Sequence, residues 1–194
     1  MSVLEFVVAA MALVILVYTI VIYNGLIRLK NNVERAFANI EVLLKQRHTE
    51  LPLLVEVCKG YMKHEQQVLL AITEARSRVY SAQENHDVRG LGRAETLMRT
   101  SLSQLFARCE AYPDLKANEN FLSLQERISQ LEDAIADRRE IFNESVRLNN
   151  TRIQQFPDVV LARGFGFGEL TYLKFQTVDL LPVKVNLGNQ ASRL

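Results

Sequence analysis

Apolar positions along this chain change their spacing once, and that change sets the architecture. From Phe6 to Tyr23 the chain carries no charge and, Thr19 apart, reads as one apolar run. At about 1.5 Å per residue a helix over it covers roughly 27 Å, close to the ~30 Å hydrocarbon core of a bilayer. From Val33 onward the apolar positions become periodic instead: Val33, Phe37, Ile40, Leu44, Arg47, Leu51, Leu54, Cys58, Tyr61, Glu65, Val68, Ile72, Ala75 and Val79. A repeat of three and four is the seam of a long packed helix. No strong loop signal separates the two patterns. They predict one rod from Phe6 to about Ala82, in the membrane at one end and wet at the other. Pro52 lies inside it, removes a backbone hydrogen bond and crowds the preceding turn, so a kink is expected there. Gly60 weakens the helix further. Arg47 and Glu65 are the polar exceptions in the seam. They are expected to snorkel outward, with pairing to charges on a facing helix as the alternative.

Gln83 to Gly90 breaks the periodicity and reads as the first loop. A second helix is predicted from about Leu91 to Ala111, with Leu91, Ala94, Met98, Leu102, Leu105 and Cys109 on one face, ended by Tyr112-Pro113-Asp114. A third runs from about Asn118, a good N-cap, to Phe156 before Pro157. Its seam is Phe121, Leu124, Ile128, Leu131, Ile135, Arg138, Phe142, Ser145, Asn149 and Ile153, turning polar in the last turns. The predicted fold class is all-α: an N-terminal transmembrane helix continuing into a cytoplasmic antiparallel bundle of three to four long helices. The first helix is expected to bend near Pro52, and a single long hairpin is the alternative. Residues 1–23 form the anchor, 24–157 the bundle and 158–194 a glycine-aromatic segment and tail. In that tail Asp158 to Arg163 reads as a helical turn or more, followed by Gly164-Phe165-Gly166-Phe167-Gly168. Glu169 to Phe175 reads as helix folding back on the bundle. Leu181 to Gly188 alternates like a strand, but a lone strand has nothing to pair with and reads as an extended tail.

Composition adds little that changes this picture. The 194 residues carry a formal charge of +1, so the net charge gives no argument for a nucleic-acid partner. Tryptophan is absent and glycine and proline are sparse, which favours long helices. Cys58 and Cys109 fall within helical patterns and read as buried reduced thiols, not as a disulfide framework.

The apolar run competes with a cleaved signal peptide. The preceding Met-Ser-Val-Leu-Glu has no Lys or Arg, and the residues after Tyr23 lack an Ala-x-Ala. Ser2 stands where myristoylation needs glycine. A retained transmembrane helix is therefore expected, with Phe6, Val14 and Leu16 inside it and Tyr23 at its end, where an amphipathic ring is favoured. Arg28, Lys30 and Arg35 follow the run and only Glu5 precedes it. That bias puts the body in the cytoplasm and a short N-terminus outside. The same three cations can attract anionic lipid, each by about 1 kcal/mol. Asn24, at the membrane exit, can bond headgroups or a neighbouring helix.

Several stretches together resemble the LemA family. They are Tyr23-Asn24-Gly-Leu-Ile-Arg28 through Val33, directly after the apolar run; Ala36-Phe-Ala-Asn-Ile40 through Arg47; Leu51-Pro52-Leu-Leu-Val-Glu56; and Lys59-Gly60-Tyr61-Met-Lys-His-Glu65. Ala117-Asn118-Glu-Asn120-Phe121, Phe142-Asn143-Glu-Ser-Val-Arg147, Phe156-Pro157 and Gly164-Phe165 continue the match in order. The chain departs at Phe37, where the family commonly has Trp, and at Leu53, where it often has Asn. The resemblance implies a bacterial inner-membrane protein with a cytoplasmic antiparallel bundle. It also implies links to membrane-protein quality control or, in one branch, to magnetosome membranes.

Candidate chemistry is thin. His64-Glu65-Gln-Gln-Val68 begins like a His-Glu-x-x-His zinc helix, but Val68 stands where the second histidine is needed. His48 and His64 lie about 24 Å apart along a straight helix, too far to share an ion. Gly164 to Gly168 has glycine spacing but no preceding strand, no Lys-Ser/Thr after it, and two phenylalanines inside. Asn24, Asn31, Asn118 and Asn120 read as caps or interface groups. The expected function is therefore non-enzymatic and without a cofactor or bound metal. It is a membrane scaffold or adaptor that contacts lipid, self-associates, or binds another membrane protein. Phe165 and Phe167 are either a docking element or packed on their own bundle. The rival is a metal-dependent enzyme or sensor using His64, Glu65 and Cys58.

Overall fold

The computed structural model describes residues 2–175. They form six helices: α1 (Val3–Tyr61), α2 (Gln66–Glu84), α3 (Val88–Cys109), α4 (Pro113–Lys116), α5 (Glu119–Gln154) and α6 (Asp158–Gly164). The described residues contain no strand, as the all-α expectation requires. The stretch Leu181 to Gly188 lies outside them.

A reciprocal capping box starts α1: Ser2 Oγ accepts from the Glu5 N–H at 3.3 Å and Glu5 Oε2 from the Ser2 N–H at 3.1 Å. The helix then runs unbroken for 59 residues. Its most apolar 18-residue window has a mean hydropathy of 2.7, yet only 6% of it is buried in the fold. A core helix of that hydropathy would hide its apolar surface, so the first part of α1 has the length and surface of a membrane span. From Ile22 the buried positions become periodic: Ile22, Leu26, Val33, Ala36, Ile40, Leu44, Arg47, Leu51, Leu54 and Cys58.

The predicted rod does not reach Ala82. It passes through Pro52 as helix and breaks ten residues later, at residues 62–65. The reason is visible at the carbonyl that Pro52 leaves without a partner. Proline at 52 has no N–H for the carbonyl of His48, one turn back. Arg76 of α2 supplies the missing donor, its Nε bonding the His48 oxygen at 3.1 Å. Leu51 and Leu54 are buried on either side of the exposed proline, so packing outweighs the local cost. Gly60 meets nothing that would resist a side chain, and the real break follows it within a turn.

After that break α2 folds back along α1, placing Tyr80 beside His48 with ring centroids 5.3 Å apart. α3 returns alongside α2 and brings Cys109 Sγ to 3.7 Å from Met62 Sδ. The single turn α4 leads to Asn118, which caps α5 as expected, its Oδ1 accepting from the Phe121 N–H at 3.0 Å. α5 then runs antiparallel to α1 for its whole length. Arg127 meets Glu50, Glu132 meets Arg47, and Phe142 packs on Phe37 at 5.5 Å. At the far end Ile153 of α5 and Ala162 of α6 bury Ile22 and Leu26. Two long helices therefore carry the fold, and the α2–α3 hairpin thickens only its distal part into four helices. This is the antiparallel bundle expected, but the first rod ends at residues 62–65 and not at Ala82.

Arg47 does not snorkel. Its side chain is 1% exposed and pairs with Glu95 of α3 and Glu132 of α5. The seam position faces two helices at once, so no path leads to water, and two carboxylates meet the guanidinium instead. Burial pulls the Arg47 pKa down, but Glu95 and Glu132 outweigh it and hold it above its ordinary value. Burial pushes the Glu95 carboxyl up, and Arg47 offsets this only in part. Glu95 Oε2 is buried without a partner among the described residues. The other exception, Glu65, is the N-cap of α2 and makes no side-chain cap bond. On α5 the expected seam residue Arg138 is exposed while Arg139 turns inward, and Val146 is buried next to the expected Ser145. An α-helix drifts by about 20° per heptad against a strict repeat, which accounts for both one-residue shifts.

Candidate interaction site: a strap on the bundle and its membrane-proximal root

Residues 165–167 close the end of α6, and residues 168–175 run back along the bundle as an extended strap, not as the helix expected over Glu169 to Phe175. Two side chains of α5 hold it. Asn150 donates Nδ2–H to the Leu170 carbonyl at 2.9 Å, and its Oδ1 accepts from the Leu170 N–H at 2.9 Å. Asn143 does the same for Leu173, at 3.0 and 2.9 Å. A side-chain amide presents a donor and an acceptor as a peptide unit does, so each asparagine acts like one residue of a neighbouring strand. Their separation fits the task. Seven residues of helix rise about 10.5 Å, and three residues of extended chain cover roughly 10 Å. The segment is held extended because α5 satisfies the backbone groups of Leu170 and Leu173.

Side chains anchor the same strap. Leu173 is buried in the main core. Lys174 crosses α3 at Gly92, where a Cβ would collide with the Lys174 carbonyl oxygen. Phe175 lies between two guanidinium groups, Arg139 at 4.3 Å and Arg99 at 5.9 Å from its ring centroid. Burial first, then the like charge of Arg99, hold Arg139 below its ordinary pKa. Arg99 Nε is also 3.5 Å from Glu132 Oε2, which pairs with Arg47. The end of the strap thus touches the buried ion network through one arginine.

At the root of the strap, Phe165 and Phe167 both pack edge-on against Tyr23, with centroids 4.9 and 6.0 Å away. Phe167 is half-buried, and Phe165 keeps an open face. Asn24 is exposed on the next position of α1. Phe6, Val14 and Leu16 are exposed along the apolar span. Arg28, Lys30 and Arg35 are exposed just beyond it, Lys30 facing Glu34 at 3.9 Å and Arg35 bonding Asn32 at 2.7 Å.

The residues of the rival reading are not brought together. His64 is exposed in the α1–α2 turn, whereas Cys58 is fully buried in the core. A hydrogen bond with the Cys109 thiol, and then burial, push the Cys58 thiol far above its ordinary pKa, which disfavours the reactive thiolate. Among the described residues no group of three His, Cys, Asp or Glu could hold a metal ion. What the arrangement can do is hold an extended backbone against α5. The residues that do so, Asn143, Asn150 and Gly92, were not singled out from the sequence. The available signal was the polar turn of the third-helix seam around Asn149, with two asparagines seven residues apart beside it.

A span that becomes the wall of a helical bundle, with a strap returning from the membrane end, defines a membrane-associated all-α protein. The match to the LemA family model covers residues 36–187, and the chain belongs to the LemA family. Protein LemA of Metamycoplasma hominis is 29% identical over 135 residues, covering 69% of this chain. The chain spans 60% of that relative's length. Magnetosome protein MamQ of Magnetospirillum gryphiswaldense is 21% identical over 200 residues, covering 91% of this chain and 74% of MamQ.

Proposed function

We propose that this protein is a non-enzymatic scaffold or adaptor, anchored by one span in a bacterial inner membrane with its bundle on the cytoplasmic side. The observation that carries the reading is the unbroken α1. The same 59-residue helix supplies the apolar span and one wall of the bundle. Such continuity couples the bundle rigidly to the span, so that the two move as one body, which suits presentation of a surface more than turnover of a substrate. The exposed basic residues Arg28, Lys30 and Arg35 support the orientation through the bias of cytoplasmic flanks toward Lys and Arg. The likeness to a magnetosome protein supports membrane organisation as the setting. Its partners are a second copy or another membrane protein, together with lipid.

Crosslinking in the native membrane, followed by mass measurement in detergent, tests this. A specific partner, or a defined multimer, is expected. A strict monomer with no crosslinked partner would remove the scaffold reading. A protease that reaches the bundle from the outer face of intact cells would reverse the orientation.

A further inference from the structure

Three exposed apolar side chains lie on the short segment where α5 turns into α6 and the strap begins. Phe156 is 84% exposed, Val160 62% and Phe165 56%. Through the Phe165–Tyr23 contact they adjoin the exposed apolar span, and an apolar surface of that extent marks a contact. Their height on the molecule identifies what they meet. The pairs Phe37–Phe142 and Arg47–Glu132 keep one register, each residue up α1 answering one residue down α5. At the last residue of α5 that register sets Gln154 level with Gly25, two residues past the end of the apolar run at Tyr23, and Phe156 follows directly after. Direct contacts agree: Phe165 packs on Tyr23, and Ala162 of α6 shares a buried cluster with Ile22 and Leu26.

We infer that the α5–α6 turn and α6 form a second contact with the same bilayer, a foot that rests in the lipid interface beside the span. Phe156, Val160 and Phe165 enter the boundary between headgroups and acyl chains. Charge on the foot is arranged to permit this. Asp158, in the first turn of α6, is buried and paired with Arg152, so no lone carboxylate faces lipid phosphate. Arg163 is exposed on the same short helix, where a long cation can reach headgroups. The surface is continuous with the span, and the occupant is therefore lipid of the anchoring membrane. A short apolar face lying in the plane of the interface is a known mode of membrane contact.

This inference rests on the membrane-anchored reading above, and one experiment separates the two. The chain has no tryptophan, so Phe156→Trp in the full-length protein gives a single emitter. Tyr80→Trp, on the exposed distal face of α2, is the control. Each variant is reconstituted in phosphatidylcholine and phosphatidylglycerol vesicles, with and without lipid brominated near the ester end of its chains. Phe156→Trp should emit to the blue of the control, lose emission to brominated lipid and resist aqueous acrylamide. Tyr80→Trp should behave in the opposite way on all three counts. Val160→Trp repeats the test should Phe156→Trp fail to fold. Emission from Phe156→Trp that is indifferent to brominated lipid, in protein that still floats with vesicles, overturns the foot and leaves the anchor standing. Blue emission without such quenching means a protein–protein contact covers the site, and also overturns it. Protein that leaves the vesicles in alkaline carbonate removes the anchor and the foot together.

Discussion

Replacing Arg47 by methionine removes the only cation that pairs with Glu95 among the described residues. Glu95 would then hold a carboxyl at 1% side-chain exposure with no paired cation, Arg99 acting on it only at longer range, and one of its oxygens already lacks a partner. Breaking a buried ion pair from one side typically costs about 3–5 kcal/mol, because the surviving charge stays buried. Glu132 suffers less, since its side chain is 16% exposed and Arg99 remains 3.5 Å away. For a chain of this size about 1 kcal/mol moves Tm by about 2–4 °C, so Arg47→Met should lower it by roughly 6–20 °C. Adding Glu95→Met removes the stranded carboxyl. The double variant should recover to within about 1 kcal/mol of the parent or exceed it.

The pH dependence of that deficit has a definite sign. Burial raises the Glu95 pKa in the folded protein above its unfolded value. A raised carboxyl favours folding fully below the unfolded pKa, and that contribution is lost as pH rises through the folded value. Without Arg47 the shift grows, so the deficit of Arg47→Met should be small in acid and largest near neutral pH. Thermal unfolding in detergent, followed by circular dichroism across that range, measures it. A deficit under about 1 kcal/mol, or one that does not change with pH, would refute the reasoning about a desolvated charge. So would a double variant as unstable as the single one.

The His48 carbonyl predicts a coupling between two helices: Arg76→Leu should cost about 1–3 kcal/mol, and Pro52→Ala should cancel most of it by restoring the helical N–H. Additive effects in a denaturant double-mutant cycle would sink that account. Asn143→Ala and Asn150→Ala should each loosen the strap at a cost of about 1–3 kcal/mol. Hydrogen exchange at the amides of Leu173 and Leu170 respectively should rise, and unchanged protection would show that the side-chain amides do not hold it. Gly92→Ala inverts the usual helix rule. In an open helix it would gain up to about 1 kcal/mol, but here it should destabilise and speed proteolysis of residues 170–175, and a more stable variant would contradict the close crossing of Lys174.

Much of the fold was legible because it depends on period alone. The apolar run, the seam from Val33 to Cys58, the N-cap at Asn118 and the stop at Pro157 are local signals, and the helices follow them. What failed was decided by a distant group. Pro52 orphans the His48 carbonyl, and only the folded chain shows that Arg76, twenty-four residues on, takes it while α1 continues through. Arg47 looks like a snorkelling cation until α3 and α5 close both sides and bring Glu95 and Glu132. Glu169 to Phe175 has a helical composition, yet Asn143 and Asn150 outbid the helix for its backbone. Phe165 and Phe167 stand out in the sequence as aromatic residues between glycines, and both pack on Tyr23. Gly92 does not stand out, since a glycine inside a helical pattern does not reveal which chain will cross it.

Continuity of span and wall makes α1 a lever with its fulcrum in the bilayer. From Tyr23 to Tyr61 the arm is about 57 Å long at 1.5 Å per residue. A change of tilt of 10° would carry its tip sideways by about 10 Å, and spans tilt by such amounts to match bilayers of different thickness. The α1–α2 turn would then occupy a different place above a thin membrane than above a thick one. In that sense the position of the distal tip is a report on the lipid below it.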